Sequence, residues 1–354
     1  MKAAFIGVPQ SGKSTVFSSV TGGRHDHHGA VEPHHAVVHV PDPRLAYVAE
    51  LFSPKKVTEA TIEFTDVPGC ALDDAAGQEQ WRRLLPVVRQ ADLLVIVVRE
   101  FENAAVPAYR NRVDARADFQ AVWEEMLFAD LDAVTSRIDR LEAALKKPTR
   151  THELEKRELA LLTRCREALE SEQPLASVVT TDEERRQVSS FAFLTEKPVV
   201  GIRNLSDDQT GAGVEWDVPY VKEIITLSAS IEAEIAVLDS EDREAFLADL
   251  GLEAPARDRL IQCCYRAGGL ITFFTANNEE ARAWAIRRGS TAVEAAAKVH
   301  TDLARGFIRA ETVAHDDLVA HQDLKGVKAA GRFRKEGKTY VVQDGDLLHI
   351  LSST

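Results

Sequence analysis

The segment Gly7–Ser14, with the sequence Gly-Val-Pro-Gln-Ser-Gly-Lys-Ser, matches the pattern G-x-x-x-x-G-K-[ST] without a gap. It follows an apolar stretch at residues 2–8, which predicts a buried strand, and it opens an amphipathic stretch at Lys13–Val20, which predicts a helix. A glycine-rich turn between a strand and a helix points successive backbone N–H groups, and the positive end of the helix, at a phosphate. The chain is therefore predicted to contain a phosphate-binding loop.

In such a loop Lys13 is expected to reach the β- and γ-phosphates of a nucleotide, and Ser14 to bind Mg²⁺. A glycine-rich turn that binds nothing is the alternative, but the strand before it and the helix after it argue against that alternative. The predicted nucleotide contacts in this segment are Gln10, Ser11, Gly12, Lys13, Ser14 and Thr15.

Short apolar segments, separated by helical or loop stretches, recur along the chain. Segments of this kind predict a largely parallel sheet that is covered by helices on both faces. We therefore expect an α/β fold with a P-loop NTPase domain. Besides residues 2–8, the predicted strands of this sheet are Val37–Val40, Thr61–Asp66, Leu93–Val98, Val199–Arg203 and Ile224–Leu227.

A second nucleotide-related motif, Asp66-Val67-Pro68-Gly69, ends the predicted strand Thr61–Asp66. An Asp at the end of a strand can hold Mg²⁺ directly or through water, and the Gly69 N–H can contact a γ-phosphate. The pattern D-x-x-G is weak alone, but it is informative downstream of a phosphate-binding loop. The sequence therefore predicts a Mg²⁺ site formed by Ser14 and Asp66, with Gly69 as a further nucleotide contact.

Two later motifs are similar to the base-recognition elements of switch GTPases. Asn204-Leu205-Ser206-Asp207 lies where those proteins have N-K-x-D, and Ser228-Ala229-Ser230 lies where they have S-A-K. Ordinary Asx and Ser turns would explain either motif in isolation. Four motifs in this order indicate a switch-type NTPase, and the predicted base contacts are Asn204, Leu205, Asp207, Ser228 and Ala229.

The middle of the chain has a different, helical pattern. Apolar residues alternate spacings of four and three at Leu127, Leu131, Val134, Ile138, Leu141 and Leu145, which predicts a coiled-coil seam. Pro148 ends it, and a second helix is predicted at about Glu153–Leu169. The pair predicts an antiparallel helical hairpin inserted between strands of the sheet domain. A packing helix pair within one domain is the alternative.

Residues 267–354 begin again with strand-rich sequence and predict a small α+β domain. Its predicted elements are strands at Leu270–Thr275 and Ala283–Arg287, a helix at Ala292–Val299, and a terminal hairpin of Lys338–Val342 and Leu347–Leu351. The predicted division is a discontinuous nucleotide domain at 1–118 and 197–266, a helical arm at 119–196, and this domain at 267–354.

The formal net charge is −13, from 43 basic and 56 acidic residues. This balance argues against a chain that is covered with nucleic-acid-binding surface. Residues 267–354 nevertheless carry 12 basic and 11 acidic side chains. We call residues 325–338 the basic segment, because only Glu336 opposes Lys325, Lys328, Arg332, Arg334, Lys335 and Lys338. The basic segment is either a solvated face or a contact for RNA phosphates.

The longest apolar runs, such as Leu93–Val98, are far shorter than the ~20 residues that a membrane span needs. The first predicted strand begins almost at Met1, which leaves no room for a signal peptide. None of the cysteines forms a C-x-x-C pair, so neither a disulfide framework nor a zinc knuckle is expected. We therefore expect a cytoplasmic protein without a membrane partner. The cysteines are Cys70, Cys165, Cys263 and Cys264.

Histidines are concentrated in one short stretch, at His25, His27, His28, His34, His35 and His39. The pattern His-x-His-His can bind Zn²⁺ or Ni²⁺. A solvated loop that tolerates histidine is the alternative, and a pH-sensitive switch is a third interpretation.

Five longer strings extend these motifs over nearly the whole chain, and they resemble the YchF/Obg-like ATPase family of P-loop proteins. The strings are Val40–Leu45, Val97–Asn103, Leu270–Thr275, Gly306–Glu311 and Tyr340–Asp346. The resemblance implies a nucleotide domain, an inserted coiled-coil arm and a C-terminal ubiquitin-like TGS domain. It also implies Mg²⁺-dependent binding and slow hydrolysis of ATP, often in preference to GTP, and an association with ribosomes in translation or the stress response.

The resemblance leaves the choice of nucleotide open, because the family's base motif is Asn-apolar-x-Glu. The apolar Leu205 favours ATP, since its backbone could contact the adenine amino group, whereas Asp207 resembles the acid that reads guanine. For partners, the resemblance implies ribosomal RNA, contacted through the TGS-like domain and the helical arm. We expect a monomer.

Three departures from the family concern hydrolysis rather than fold. Ala30 replaces the switch-I Thr that would complete the Mg²⁺ shell, and Ala108 replaces a His. In the second switch, Cys70 follows Gly69, and most of the glycines that the family has in the stretch after Gly69 are missing. No Gln or His remains in an obvious place to orient water, and the catalytic residues are unknown. We therefore expect a weak ATPase or GTPase, with a non-hydrolysing nucleotide-bound scaffold as the alternative. For Cys70 itself, a reactive low-pKa thiol and a small buried residue are both open.

Overall fold

The structure is a computed structural model of the chain and describes residues 1–22, 32–146, 152–209, 216, 218, 220–250 and 254–353. Several features of the sequence lie outside these described residues, namely His25, His27, His28, Ala30 and Pro148.

The chain divides into two compact units. Unit 1 consists of residues 1–36 and 63–257, and unit 2 consists of residues 37–62 and 258–354. The predicted arm at 119–196 falls within unit 1, and residues 37–62 fall within unit 2 rather than with the nucleotide-binding motifs. The finer division into three domains, with boundaries at 118, 196 and 266, stays a prediction.

The strands of the described residues are β1 (Lys2–Ile6), β2 (His34–His39), β3 (Lys56–Thr58), β4 (Thr61–Asp66), β5 (Leu93–Glu100), β6 (Val199–Leu205), β7 (Val221–Leu227), β8 (Leu270–Ala276), β9 (Glu280–Arg287), β10 (Phe307–Ala314), β11 (Arg334–Glu336) and β12 (Asp346–Ser352).

The α-helices are α1 (Lys13–Thr21), α2 (Pro43–Phe52), α3 (Ala75–Arg89), α4 (Ala115–Ala144), α5 (His152–Glu170), α6 (Asp182–Val188), α7 (Ala229–Ile235), α8 (Ser240–Asp249), α9 (Ala256–Ala267), α10 (Ala292–Val299), α11 (Thr301–Arg305), α12 (His315–His321) and α13 (Leu324–Ala329). None of the helices in these described ranges is long and apolar enough to cross a membrane.

The first sheet has the strand order β2-β4-β1-β5-β6-β7. The strand β1 pairs in parallel with β4 and β5, and the parallel ladder continues through β6 to β7. The predicted α/β fold with a mostly parallel sheet is confirmed. Because parallel strands end at the same edge of a sheet, the segments that follow β1, β4, β5, β6 and β7 share one edge, where ligands bind in such folds.

An aromatic cluster holds α1 against this sheet. The ring of Phe5 on β1 packs edge-to-face with Phe17 on α1, at a centroid distance of 5.8 Å, and with Phe64 on β4, at 5.3 Å. All three side chains are fully buried. Such pairs contribute about 0.5–1.5 kcal/mol each beyond the burial of their area. The cluster therefore fixes the helix whose first residue is Lys13.

The helices α4 and α5 pack against each other between β5 and β6 in the chain. Arg137 on α4 donates two hydrogen bonds to the Glu158 carboxylate on α5, at 2.7 and 2.8 Å. Arg137 lies about as many residues before the connection between α4 and α5 as Glu158 lies after it, which is the pairing expected of an antiparallel hairpin. The predicted seam is buried at Leu127, Val134, Ile138 and Leu141.

The second sheet has the strand order β11-β10-β12-β8-β9-β3. Its strand β12 pairs antiparallel with β10 on one side and parallel with β8 on the other. The predicted terminal hairpin is therefore wrong, since both edges of β12 are already occupied. Residues 338–342 form only an isolated bridge, between Val341 and Thr291. The sequence at residues 343–346 is typical of a tight turn, but β12 pairs instead with β8 and β10, which lie farther away along the chain.

Two of the strings quoted above meet inside unit 2. The Arg44 guanidinium donates to Asp42, the residue that caps α2, and to Asp344, with Nη1 to Oδ2 at 3.1 Å and Nη2 to Oδ1 at 3.2 Å. Asp344 Oδ1 also accepts the Thr272 N–H at 2.9 Å. A side chain at Gly345, where φ is +89°, would lie 3.0 Å from Arg44 Nη1. These contacts attach α2 to the second sheet.

Candidate nucleotide-binding site

A large cavity lies at the carboxyl edge of the parallel sheet in unit 1. Its volume of about 1210 Å³ is sufficient for a nucleoside triphosphate. Among the predicted site residues, those that line it are Gln10, Ser11, Gly12, Lys13, Ser14, Thr15, Asp66, Gly69, Asn204, Leu205, Asp207 and Ala229. Ser228 is the exception, because it is buried, and its hydroxyl donates to Asp207 on the cavity wall.

The loop between β1 and α1 has the strained backbone that a phosphate-binding loop needs. Gln10 and Gly12 both have positive φ angles, 59° and 83°. A side chain at Gly12 would collide with the Asn204 amide, and one at Gly7 would lie 2.5 Å from the Val97 carbonyl oxygen. The hydroxyl of Ser11 is buried and has no hydrogen-bond partner among the described residues. The curled loop thus leaves polar groups available for a ligand at the start of α1.

Lys13 and Asp66 form a buried ion pair at the floor of the cavity. The Lys13 ammonium donates to Asp66 Oδ1, and the two side chains are only 5% and 4% exposed. Burying either charge alone would be costly, so each stabilises the other. The pair links the phosphate-binding loop to the end of β4.

The Ser14 hydroxyl and the Asp66 carboxylate suit Mg²⁺, which prefers hard oxygen ligands and usually keeps several waters. Both residues lie on the cavity wall. Within the described ranges no group of three or more His, Cys, Asp or Glu side chains could hold a metal ion by itself. Two hard oxygen donors fit a Mg²⁺ ion whose remaining ligands are waters and phosphate oxygens.

Asn204, at the end of β6, connects the base-recognition motif to the other two loops. Its Nδ2 donates to the Ser11 carbonyl oxygen at 3.1 Å, and its Oδ1 accepts the Ala229 N–H at 2.9 Å. The side chain is 2% exposed. Both amide functions are thus used to hold loops together, which gives Asn204 an architectural role on the cavity wall.

Asp207 is held by the N-terminal end of α7, where Ser228 is the N-cap residue and Ser230 lies in the first turn. The hydroxyls of Ser228 and Ser230 both donate to its Oδ1 atom. The two serine oxygens are also 3.0 Å apart. Asp207 and Ser230 line the cavity, so this three-residue cluster forms part of the wall expected to face the base.

The loop that follows β5 also lines the cavity, although none of its residues is among the predicted site residues. Buried Arg99 organises it, with Nε donating to the Phe101 carbonyl oxygen at 3.0 Å and Nη2 to that of Val106 at 3.0 Å. Its guanidinium also lies 4.3 Å from the centroid of the Phe101 ring. The string at 97–103 is the part of the sequence that could have indicated this loop. The residues that line the cavity here are Phe101, Glu102, Asn103, Ala105, Val106 and Pro107.

Cys70 does not contact the cavity. Its Sγ donates to the Pro68 carbonyl oxygen at 3.6 Å, and burial raises the pKa of the thiol to about 11. The interpretation as a reactive low-pKa thiol is therefore wrong, and Cys70 is a small buried residue. Ala108, another of the departures named above, also lies off the cavity wall.

His34 and Gln10 do line the cavity. The expectation that no Gln or His remains in an obvious place to orient water stays a prediction. His34 reaches the wall because β2 lies beside β4 in the sheet.

The histidines that follow on β2 contact neighbouring side chains of the sheet. His35 Nδ1 is 2.9 Å from Thr65 Oγ1 and 3.7 Å from Glu63 Oε1, and His39 Nδ1 is 3.5 Å from Glu59 Oε2. Both imidazoles are mostly exposed. Among the described residues this arrangement forms no metal cluster, so the interpretation as a Zn²⁺ or Ni²⁺ site gains no support here.

The basic segment lies on α13, the following turn and β11 of unit 2. Arg334 is neutralised, because its guanidinium lies 3.2 Å from the buried Asp346 carboxylate and 3.6 Å from Glu336. The basic side chains that remain exposed are Lys325, Lys328, Arg332, Lys335 and Lys338.

Residues 2–128 match a protein family described as "50S ribosome-binding GTPase". Residues 270–352 match the YchF-GTPase_C family, which is described as "Protein of unknown function (DUF933)". The two matches cover the first nucleotide-binding motifs and the strand-rich C-terminal residues.

Relatives match over nearly their full length. The chain is 37% identical to the "Ribosome-binding ATPase YchF" of Bacillus subtilis, over 99% of this chain and 98% of that protein. It is 35% identical to the protein of the same name from Escherichia coli O157:H7, with the same coverage. The structure of the Schizosaccharomyces pombe YchF GTPase superposes with a TM-score of 0.83, at 24% identity, over 99% of this chain and 97% of that one.

Proposed function

The chain belongs to the YchF family, and on that premise we propose that it is a nucleotide-dependent, ribosome-associated protein with weak ATPase or GTPase activity. The observation that carries the proposal is the cavity of about 1210 Å³, in which a phosphate-binding loop and a base-recognition motif form parts of one wall. The names of the bacterial relatives support the ribosome and ATP as partners.

At the phosphate end, backbone N–H groups of residues 10–15 and the start of α1 bind the triphosphate. The Lys13 ammonium moves from Asp66 to the β- and γ-phosphates, which offer more negative charge. The Gly69 N–H contacts the γ-phosphate. The buried hydroxyl of Ser11, which has no partner among the described residues, is available to the same anion.

Ser14 and Asp66 are the residues that would hold Mg²⁺. A bound Mg²⁺ neutralises charge that the β- and γ-phosphates share. Asp66 becomes available as Lys13 turns to the phosphates, so the two residues exchange partners when nucleotide binds.

At the base end, the contacts are Asn204, Leu205, Asp207, Ala229 and, through Asp207, the buried Ser228. Leu205 is 4% exposed, so it offers its backbone and one apolar edge to a purine rather than a polar side chain. An apolar wall with backbone groups suits the adenine amino group. We therefore propose ATP as the preferred nucleotide and GTP as the weaker one.

We expect slow hydrolysis because Ala30 and Ala108 stand where the family carries a Mg²⁺-binding Thr and a His. The alternative is a non-hydrolysing scaffold whose helical arm and C-terminal domain bind partners. The positions of Cys70 and Ala108, away from the cavity, favour that alternative. Single-turnover assays with stoichiometric enzyme separate the two, and release of phosphate that His34→Ala abolishes would reject the scaffold.

The exposed part of the basic segment is the proposed contact for ribosomal RNA phosphates. This contact lies in the predicted TGS-like domain at 267–354, and the helical arm at 119–196 provides a second. We further propose that the protein is a cytoplasmic monomer, which sedimentation equilibrium at micromolar concentration would test.

The nucleotide proposal is tested by measuring the dissociation constants of ATP, ADP, GTP and GDP, with and without Mg²⁺. Lys13→Ala should abolish triphosphate binding, and Ser14→Ala should reduce the effect of Mg²⁺. Binding that is unchanged in Lys13→Ala would overturn the proposed site.

The ribosome proposal is tested by co-sedimentation at several salt concentrations. The double variant Arg332→Glu with Lys335→Glu should weaken binding and reduce its salt dependence, because phosphate contacts release counterions. Arg287→Glu with Arg288→Glu is the matched control, since this pair is exposed elsewhere in unit 2. Arg334 is left intact because it is paired with buried Asp346.

A further inference from the structure

We propose that Ser230 sets the base preference of the nucleotide cavity, by engaging Asp207 so that the carboxylate does not bind guanine. The inference rests on the proposed nucleotide-binding function and adds a specificity-determining residue to it. It starts from the three-residue cluster of Asp207, Ser228 and Ser230 on the cavity wall.

Both hydroxyls of the cluster are directed at a single oxygen. Ser228 Oγ and Ser230 Oγ each donate to Oδ1 of Asp207. A carboxylate oxygen has about two lone-pair sites, so two donors fill the acceptor capacity of Oδ1. The carboxylate is therefore held in one orientation with one oxygen already fully bonded.

Guanine needs both oxygens of such a carboxylate. Its ring N1–H and its exocyclic amine are parallel donors, and a carboxylate binds two parallel donors in the two-pronged manner that it uses for arginine. One guanine donor would have to displace a serine hydroxyl from Oδ1. Guanine thus has to replace an existing charge-assisted hydrogen bond before it gains a new one.

The two serines differ in how easily they can move. Ser228 is 2% exposed, and its Oγ also accepts the Ile231 N–H at the start of α7, at 3.3 Å. Ser230 is exposed and lines the cavity. Ser230 is therefore the hydroxyl that competes with a base for Asp207, whereas Ser228 keeps its bond in either case.

Adenine is not affected in the same way. Where guanine presents N1–H, adenine presents a lone pair, which gains nothing from a nearby carboxylate. Removing the Ser230 hydroxyl should therefore improve GTP binding without improving ATP binding. The discrimination comes from an element that disfavours the wrong base, as specific sites commonly require.

The experiment measures dissociation constants of ATP and GTP for the wild type, Ser230→Ala and Ser230→Thr. Ser230→Ala should shift the ratio of the two constants toward GTP on the order of tenfold, which is the effect of losing one competing hydrogen bond. Ser230→Thr keeps a hydroxyl and should retain the wild-type ratio. Ser189→Ala removes an exposed serine hydroxyl that donates to the Arg186 carbonyl oxygen elsewhere in unit 1, and serves as the matched control.

The double variant Ser230→Ala with Asp207→Asn shows whether the effect acts through the carboxylate. An amide cannot accept both guanine donors, so the gain in GTP affinity should be lost, which a general loosening of the loop would not produce. An unchanged ratio in Ser230→Ala, a shift toward ATP, or a gain that survives Asp207→Asn would overturn the inference alone. A wild type that binds neither triphosphate would overturn the proposed function and this inference together.

Discussion

The side chain of Asn204 donates a hydrogen bond from Nδ2 to the main-chain oxygen of Ser11, 3.1 Å away and 193 residues earlier in the chain. The same side chain accepts the Ala229 N–H through Oδ1. One buried amide thus joins the phosphate-binding loop to both segments of the base-recognition motif.

We predict that Asn204→Ala lowers the stability of the protein by about 1–3 kcal/mol, because a buried N–H and a buried carbonyl lose their partner. Nucleotide affinity should fall as well, since the loops are no longer held in register. Urea unfolding and equilibrium binding measure the two effects. Asn277→Ala is the control, because Asn277 Oδ1 accepts two N–H groups in an exposed turn of unit 2. Loss of stability with unchanged affinity would contradict the proposed link.

The buried pair Lys13–Asp66 predicts that a second substitution restores stability but does not restore triphosphate binding. Lys13→Met should cost about 3–5 kcal/mol of stability, since it leaves the Asp66 charge buried without its partner. Adding Asp66→Asn should restore much of that stability because it removes the charge. It should not restore triphosphate binding, which needs the ammonium group. A double variant that is no more stable than Lys13→Met would show that the unpaired charge of Asp66 is not the cause of the lost stability.

Asp118, in the first turn of α4, predicts a pH dependence of stability. The carboxylate is 2% exposed, Arg112 Nη2 lies 3.7 Å away, and burial raises the pKa of Asp118 to about 6. The folded state therefore holds a proton that the unfolded state releases near pH 4. The contribution of Asp118 to the free energy of unfolding is therefore full below that pH and is lost as the pH rises through about 6.

Asp118→Asn removes this penalty, so the variant should be more stable than the wild type at pH 8, by at most about 2–3 kcal/mol. The difference should vanish below pH 4. Urea unfolding between pH 4 and 8 measures it, with the exposed Asp132→Asn on the same helix as the control. A difference that is independent of pH would show that the ionisation of Asp118 is not its cause.

The cysteines predict a simple chemical test. All four are buried, and burial raises the pKa of Cys70 and of Cys165 to about 11. A thiol-specific disulfide reagent should therefore react very slowly with the folded protein at pH 8 and with four equivalents after unfolding. Rapid modification of Cys70 that nucleotide blocks would restore the redox interpretation rejected above.

The parallel sheet could be predicted because most of its strands are short apolar runs, and β4 matches the predicted bounds of Thr61–Asp66. The seam of α4 could be predicted because its period is that of a packed helix. The terminal hairpin could not be predicted, since Leu347–Leu351 contains nothing that distinguishes a hairpin strand from a central one. Pairing with β8 and β10 depends on residues more than thirty positions away along the chain.

The candidate site could likewise be predicted only in part. The residues of the phosphate-binding loop follow from a contiguous motif, and the structure brings them to the cavity wall. The string Val97–Asn103 contains Arg99, but nothing in it indicates that Arg99 bonds the carbonyl oxygens of the loop after it. His34 was missed because its place depends on strand order. The Ser230 hydroxyl became informative only when the structure placed it on Asp207.

The assignment of residues 37–62 to unit 2 means that the chain crosses between the units three times, at residues 36–37, 62–63 and 257–258. The C-terminal residues are therefore not an appendage that a single deletion removes. Ending the chain at residue 257 would strip β3 of its partner β9 and leave Arg44 without Asp344. Conversely, a backbone cut after residue 257 would leave the fragment 258–354 bound to residues 37–62 through those same contacts. The intact unit could then be reassembled from two separately expressed pieces.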